Sequence, residues 1–203
     1  MLSGMSFLCI LLTILIPKCM MKIMKNSTQN LTLTALMAAI LCIMGPIVIP
    51  IGMVPMSLAN MAIYLTIILL DKKKALISTA IYLLIGLIGI PVFSGFSAGA
   101  GKLFGPTGGY LVGYLVLSFI GGSLLEKGKY QRKEKMFYQI LVLSLGTIGL
   151  YLVGTLWLMY QSKLNLMTAL TVGVFPFFIF DVIKIILAVS IGNSVKKRIL
   201  FIL

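Results

Sequence analysis

Asp181 and Lys184 stand three positions apart within an apolar run from Thr168 to Gly192, so a helix over that run puts them one turn apart on one face. A carboxylate and an ammonium in hydrocarbon each cost about 2.5–3.5 kcal/mol on insertion scales, which requires them to face an interior cavity and not lipid. Counting back twelve residues from Lys196, at 1.5 Å per residue, sets Lys184 roughly 18 Å from the basic end of the helix, in the outer half of a bilayer. Two readings follow. The pair could lock one helix to another, since each charge lowers the other's cost. It could equally bind the polar head of a guest molecule, and Pro176, a little over one turn before Asp181, favours this, because broken helices recur at transporter sites.

A second candidate runs from Gly95 to Tyr110 as Gly-Phe-Ser-Ala-Gly-Ala-Gly-Lys-Leu-Phe-Gly-Pro-Thr-Gly-Gly-Tyr. Glycine permits positive φ and close backbone approach, so this loop can fold back over a ligand and present N–H and C=O groups to it. A flexible re-entry turn would use the same composition. It is not a Walker phosphate loop, because Gly101-Lys102 is followed by Leu103 and not by Ser or Thr. The stretch from Pro46 to Pro55 holds three prolines and no charge. It cannot continue as a regular helix, and is either a lid over a site or a passive linker. Ala35 and Ala39, four apart with Ala38 beside them, let another helix approach closely, whether from the same bundle or from a partner.

Several chemistries are excluded. The sequence has no histidine, and Cys9, Cys19 and Cys42 lack CxxC spacing, so neither the common metal sites nor a disulfide framework is indicated, and no cofactor is implied. The acidic residues are Asp71, Glu126, Glu134 and Asp181, of which the first three fall at the cytoplasmic edge. That leaves no carboxylate pair for acid–base catalysis within the membrane, and no motif identifies a serine–lysine dyad. Trp157 and Tyr160 read as interfacial anchors.

The elements that must position these residues follow from composition. Of 203 residues 60% are hydrophobic and 10% charged, too few charges to cover a water-soluble surface. Apolar windows run about Leu31 to Ile49, Met56 to Leu70, Ala75 to Phe93, Tyr110 to Leu125, Phe137 to Tyr160 and Thr168 to Gly192. Each is near the length of a spanning helix, so the expectation is an all-α integral membrane protein, a bundle of six transmembrane helices forming one domain. Basic clusters alternate between the connections: Lys18, Lys22 and Lys25; Lys72 to Lys74; Lys127, Lys129, Arg132, Lys133 and Lys135; then Lys196, Lys197 and Arg198. The other connections carry only Lys102 and Lys163, so the positive-inside rule puts the N-terminus of the core and the C-terminus in the cytoplasm. The net charge of +13 lies in these clusters without interleaved aromatics, which argues against nucleic acid. Residues 1–30 are expected to be an extension of this core, 31–203, because Met1 to Ile16 is short for a span and lacks the basic start of a secretory signal. Met20, Met21 and Met24 are possible internal starts.

The chain resembles the BioY family, the biotin-specific substrate-binding S components of energy-coupling-factor transporters, over about Leu31 to Val195. The resemblance rests on Tyr82-Leu83-Leu84-Ile85-Gly86-Leu87-Ile88-Gly89-Ile90-Pro91-Val92-Phe93, then Gly105-Pro106-Thr107-Gly108-Gly109-Tyr110, then Phe175-Pro176 with Asp181 and Lys184. It implies a six-helix fold of S-component type that captures biotin near the outer face of the cell membrane. It also implies association with a transmembrane scaffold subunit and two cytoplasmic ATPase subunits, which would supply the energy. In that setting Ala35 and Ala39 match the small-residue motif that meets the scaffold. Biotin offers ureido N–H groups, a ureido carbonyl, an apolar thiophane ring and a carboxylate. Asp181 could accept from the ureido group and Lys184 donate to the carbonyl or the carboxylate. The loop residues Gly95, Gly99, Gly101, Gly105, Thr107, Gly108 and Gly109 could close over the rings, with Phe93 and Tyr82 as wall contacts and Lys102 as a further one. The chain departs from the family at Phe96 and Ala98, where paired glycines are frequent. Rivals are an S component for thiamine or riboflavin, an intramembrane enzyme, and a non-binding assembly protein.

Overall fold

The computed structural model describes residues 27–49, 56–130 and 136–202. The extension expected over 1–30 lies outside these residues up to position 26, as do 50–55 of the proline stretch and Arg132, Lys133 and Lys135. Among the described residues the chain is almost wholly helical: α1 (Ser27–Met44), α2 (Ala59–Leu69), α3 (Lys72–Ile88), α4 (Ala100–Leu103), α5 (Gly108–Tyr130), α6 (Met136–Ser162), α7 (Leu166–Gly173) and α8 (Phe175–Ile202). Two short strands, β1 (Val48–Ile49) and β2 (Met56–Ser57), pair antiparallel with Val48 opposite Ser57. Among the described residues three helices are long and apolar enough to cross a membrane, over Gly108–Gly128, Met136–Ser162 and Phe175–Lys196, and shorter apolar helices cover Asn30–Met44 and Ala59–Leu69.

Local sequence sets several boundaries inside the expected windows. Helix α1 starts at Ser27, ahead of Leu31, and stops before Pro46, which disfavours a helical residue ahead of it. Helix α3 ends at Gly89, whose φ of +111° costs a glycine little, and Ile90 N–H donates to the Ile85 carbonyl at 3.3 Å to close the turn. The window read as one helix from Thr168 to Gly192 is two helices, interrupted at Val174. Pro176 is the reason: it has no N–H for the fourth carbonyl back, but is tolerated in the first turn of a new helix. The extra short helix α4 lies inside the glycine-rich loop.

Helix α2 forms the centre. Ala59, Ala62, Ile63, Tyr64, Leu65 and Ile68 are each 1% exposed or less, and α2 packs against α1, α3, α5 and α8. A helix apolar on every side belongs in the middle of a bundle. Tyr64 of this helix and Thr147 of α6 share a 2.8 Å hydrogen bond. Helices α5 and α6 make the closest partnership, with the Tyr110 ring lying over Gly154, where a β-carbon would collide with it. In lipid such close packing replaces the hydrophobic drive that water would supply.

Candidate functional site

Asp181 and Lys184, on the inner face of α8, are 2% and 6% exposed, and their side chains meet at 3.1 Å between Nζ and Oδ1. Three other elements close on them. Tyr151 of α6 donates its hydroxyl to Asp181 Oδ2 at 2.6 Å, and Asn60 of α2 donates Nδ2 to the same oxygen at 3.1 Å. Lys184 Nζ also donates to the main-chain carbonyl of Ser57, on β2, at 3.0 Å. These contacts compensate the desolvation of the charges, as a buried ion pair requires.

The pair opens on a cavity of about 50 Å³, lined by Met56, Asn60, Tyr110, Tyr114, Leu150, Tyr151, Gly173 and Phe177 as well as the two charges. A water needs roughly 10–15 Å³, so polar atoms here face usable space and not packed hydrocarbon. One wall is held by the break between α7 and α8: the Tyr110 hydroxyl donates to the Gly173 carbonyl at 3.1 Å. A helix end without its own partner there is thus satisfied from α5.

Of the glycine-rich stretch from Gly95 to Tyr110, Tyr110 at its end lines this cavity, and Gly95, Gly99, Gly101, Lys102, Gly105, Thr107, Gly108 and Gly109 are not among the lining residues. Phe93 is fully buried, edge-on to Tyr82 with ring centroids 5.7 Å apart, and its ring lies against Gly86. Tyr82 and Phe93 therefore form a packed seat under the loop. Backbone bonds tie it down: Gly99 N–H to Gly86 carbonyl at 2.7 Å, Phe93 N–H to Ser97 carbonyl at 3.0 Å, and Gly95 N–H to Pro46 carbonyl at 3.1 Å. The last joins the loop to the start of the proline stretch. Gly95 and Gly99 use positive φ, and so does Phe96 at +57°. A residue with a β-carbon pays steric strain there, which gives a physical reason for glycine at such a position. Gly101 and Lys102 lie in α4, and Gly105 accepts from the Trp157 indole N–H at 2.9 Å, so Trp157 fastens the loop, while Tyr160 is 84% exposed. Thr107 leads into α5, where Gly108 and Gly109 lie against Leu103 and Trp157. A β-carbon at Gly86 would overlap the Phe93 ring. Gly86→Ala is expected to lower stability by about 1–3 kcal/mol through overpacking, seen as an earlier thermal transition in detergent.

Ala35 and Ala39 are exposed on α1, in line with exposed Leu31 and Ile43, whereas Ala38 is buried. Among the described residues no group of three or more metal-ligating side chains occurs.

Asn60, Tyr114 and Tyr151 are the site residues that the sequence reading missed. The available signal is faint: each is an uncharged polar group in a mostly apolar run that holds others of its kind.

The family model described as the BioY family matches residues 19–201. The chain is 39% identical over 168 residues to the biotin transporter BioY2 of Lactococcus lactis, covering 83% of this chain and 90% of that one. It is 35% identical over 171 residues to the biotin transporter BioY of Thermotoga maritima, covering 83% and 96%. Among solved structures it is similar to the S component for biotin from an ECF-type ABC transporter, with a TM-score of 0.78, 36% identity, and coverage of 85% and 95%.

Proposed function

The chain belongs to the BioY family, and from that premise we propose that it is the substrate-binding membrane subunit of a biotin uptake transporter, capturing biotin at the outer face and delivering it inward. It is a transport protein and not an enzyme. The observation that carries the site assignment is the buried Asp181–Lys184 pair, whose remaining hydrogen-bonding positions face a cavity. A purely structural pair would have its remaining positions filled by further hydrogen bonds from the protein.

In this reading the ureido group of biotin enters the cavity and meets Asp181 and Lys184. Gly95, Gly99, Gly101, Gly105, Thr107, Gly108 and Gly109, with Lys102, close over the rings, and Tyr82 and Phe93 act by seating that loop. Six segments between residues 31 and 203 cross the plasma membrane, with the N-terminus of the core and the C-terminus cytoplasmic, and residues 1–30 are an extension. The alternation of lysine-rich connections supports this orientation. The exposed stripe of Leu31, Ala35, Ala39 and Ile43 suits contact with a transmembrane scaffold subunit, and two cytoplasmic ATPase subunits supply the energy.

Equilibrium binding to the purified protein in detergent tests this. Radiolabelled biotin is expected to be retained, with thiamine and riboflavin failing to displace it in large excess. Failure to retain biotin, together with saturable binding of labelled thiamine or riboflavin, would reassign the substrate.

A further inference from the structure

The charged pair does not use all of its hydrogen-bonding positions within the protein. A carboxylate offers about four acceptor sites, two per oxygen, and an ammonium three donors. Asp181 Oδ2 takes both Tyr151 and Asn60, and Oδ1 takes Lys184, which leaves one acceptor site on Oδ1. Lys184 donates to Asp181 and to the Ser57 carbonyl, which leaves one N–H.

Two neutral groups add to this. A carboxylate oxygen can only accept, so the Asn60 amide must turn Nδ2 toward Asp181, and its carbonyl oxygen is thereby presented elsewhere, with no donor among the described residues. Tyr114, on α5, lines the same cavity at 6% exposed, and its hydroxyl makes no hydrogen bond among the described residues. That oxygen is not sealed off by neighbouring atoms, so the cavity leaves it open to a partner from a ligand or water.

We propose that Asn60 and Tyr114 are specificity-determining residues that complete a four-point site for a cyclic urea. The inference rests on the biotin reading above and adds two contacts to it. Two acceptors, Asp181 Oδ1 and the Asn60 carbonyl, answer the two N–H groups of the urea. Two donors, the free N–H of Lys184 and the Tyr114 hydroxyl, answer the two lone pairs of its carbonyl. Each N–H and each carbonyl lone pair of the urea then has one partner in the site, and a site built this way rejects a ligand that lacks one of the groups.

The test is a cycle of variants against ligands, by equilibrium binding to the full chain in detergent. The ligands are biotin, its two mono-N-methyl derivatives, each lacking one ureido N–H, and the 2-thio derivative, whose C=S accepts weakly. Asn60→Ala is expected to weaken biotin by roughly tenfold or more, yet to weaken one of the N-methyl derivatives little, because the N–H it would have met is already gone. Tyr114→Phe is expected to weaken biotin by a similar factor and the 2-thio derivative distinctly less. If Asn60→Ala does not fold, Asn60→Ser provides the same reading. An equal loss for all ligands in the Asn60 variant would reduce that residue to a support for Asp181 and overturn the proposal, as would unchanged biotin binding in either variant. Failure of the unaltered protein to retain biotin would instead sink the underlying substrate assignment.

Discussion

Replacing Asp181 with leucine and Lys184 with methionine in one protein is expected to leave a folded bundle that no longer retains biotin. The single replacements should behave differently. Each strands a charge that is now 2% or 6% exposed, and breaking a buried pair from one side costs about 3–5 kcal/mol. Removing both charges takes that cost away, since apolar residues of similar size are often neutral or stabilising in place of a buried ion pair. Tyr151 and Asn60 lose their common acceptor in the double variant, but both line the cavity and can turn to water there. Thermal unfolding of the three variants should therefore show two early transitions and one near that of the unaltered protein, with binding lost in all three. A double variant that binds biotin normally would remove the pair from the site altogether.

Asp181→Asn isolates the charge from the shape. The amide oxygen of the new side chain would be drawn to the position of Oδ2, where the Tyr151 hydroxyl and Asn60 Nδ2 both donate. Its NH₂ group then faces Lys184 Nζ, donor against donor, in place of the present 3.1 Å ion pair. The acceptor meant for the ligand is gone as well. Losing a charged hydrogen bond and leaving an uncompensated ammonium is expected to cost about 3 kcal/mol in binding, or roughly a hundredfold in Kd. Calorimetric or filter binding measures this, and a Kd within a few-fold of the unaltered value would contradict it.

How far the site can be read from sequence differs residue by residue. Asp181 and Lys184 are legible because a charge within an apolar run is costly enough to need a reason, and spacing of three fixes a shared face. The family follows from three motifs in order along the chain, and the match over residues 19–201 bears that out. Asn60 and Tyr151 are not legible in the same way. Each is one of several uncharged polar residues on a mostly apolar helix, and only the crossing of α2, α6 and α8 brings both to a single carboxylate oxygen. Glycine content marks an irregular stretch from Gly95 onward, but the seat beneath it is made by Phe93 folding back against nearby Gly86, a side-chain contact that composition does not encode. Pro176 signals a break, while the placement of that break at Val174 depends on Tyr110 reaching the Gly173 carbonyl.

The bond from Lys184 to the Ser57 carbonyl has an unusual genetic property. Its acceptor is the peptide backbone, so every amino acid at position 57 supplies the same oxygen, and side-chain exchange there acts only through the serine hydroxyl's own bonds to Gly45 and Ala59. What can erase the grip is a change in chain length between Ile49 and Met56, which would slide a different carbonyl, or none, beneath the ammonium. Exchange of residue type at position 57 should therefore disturb the ammonium less than a slip of Ser57 from its place opposite Val48.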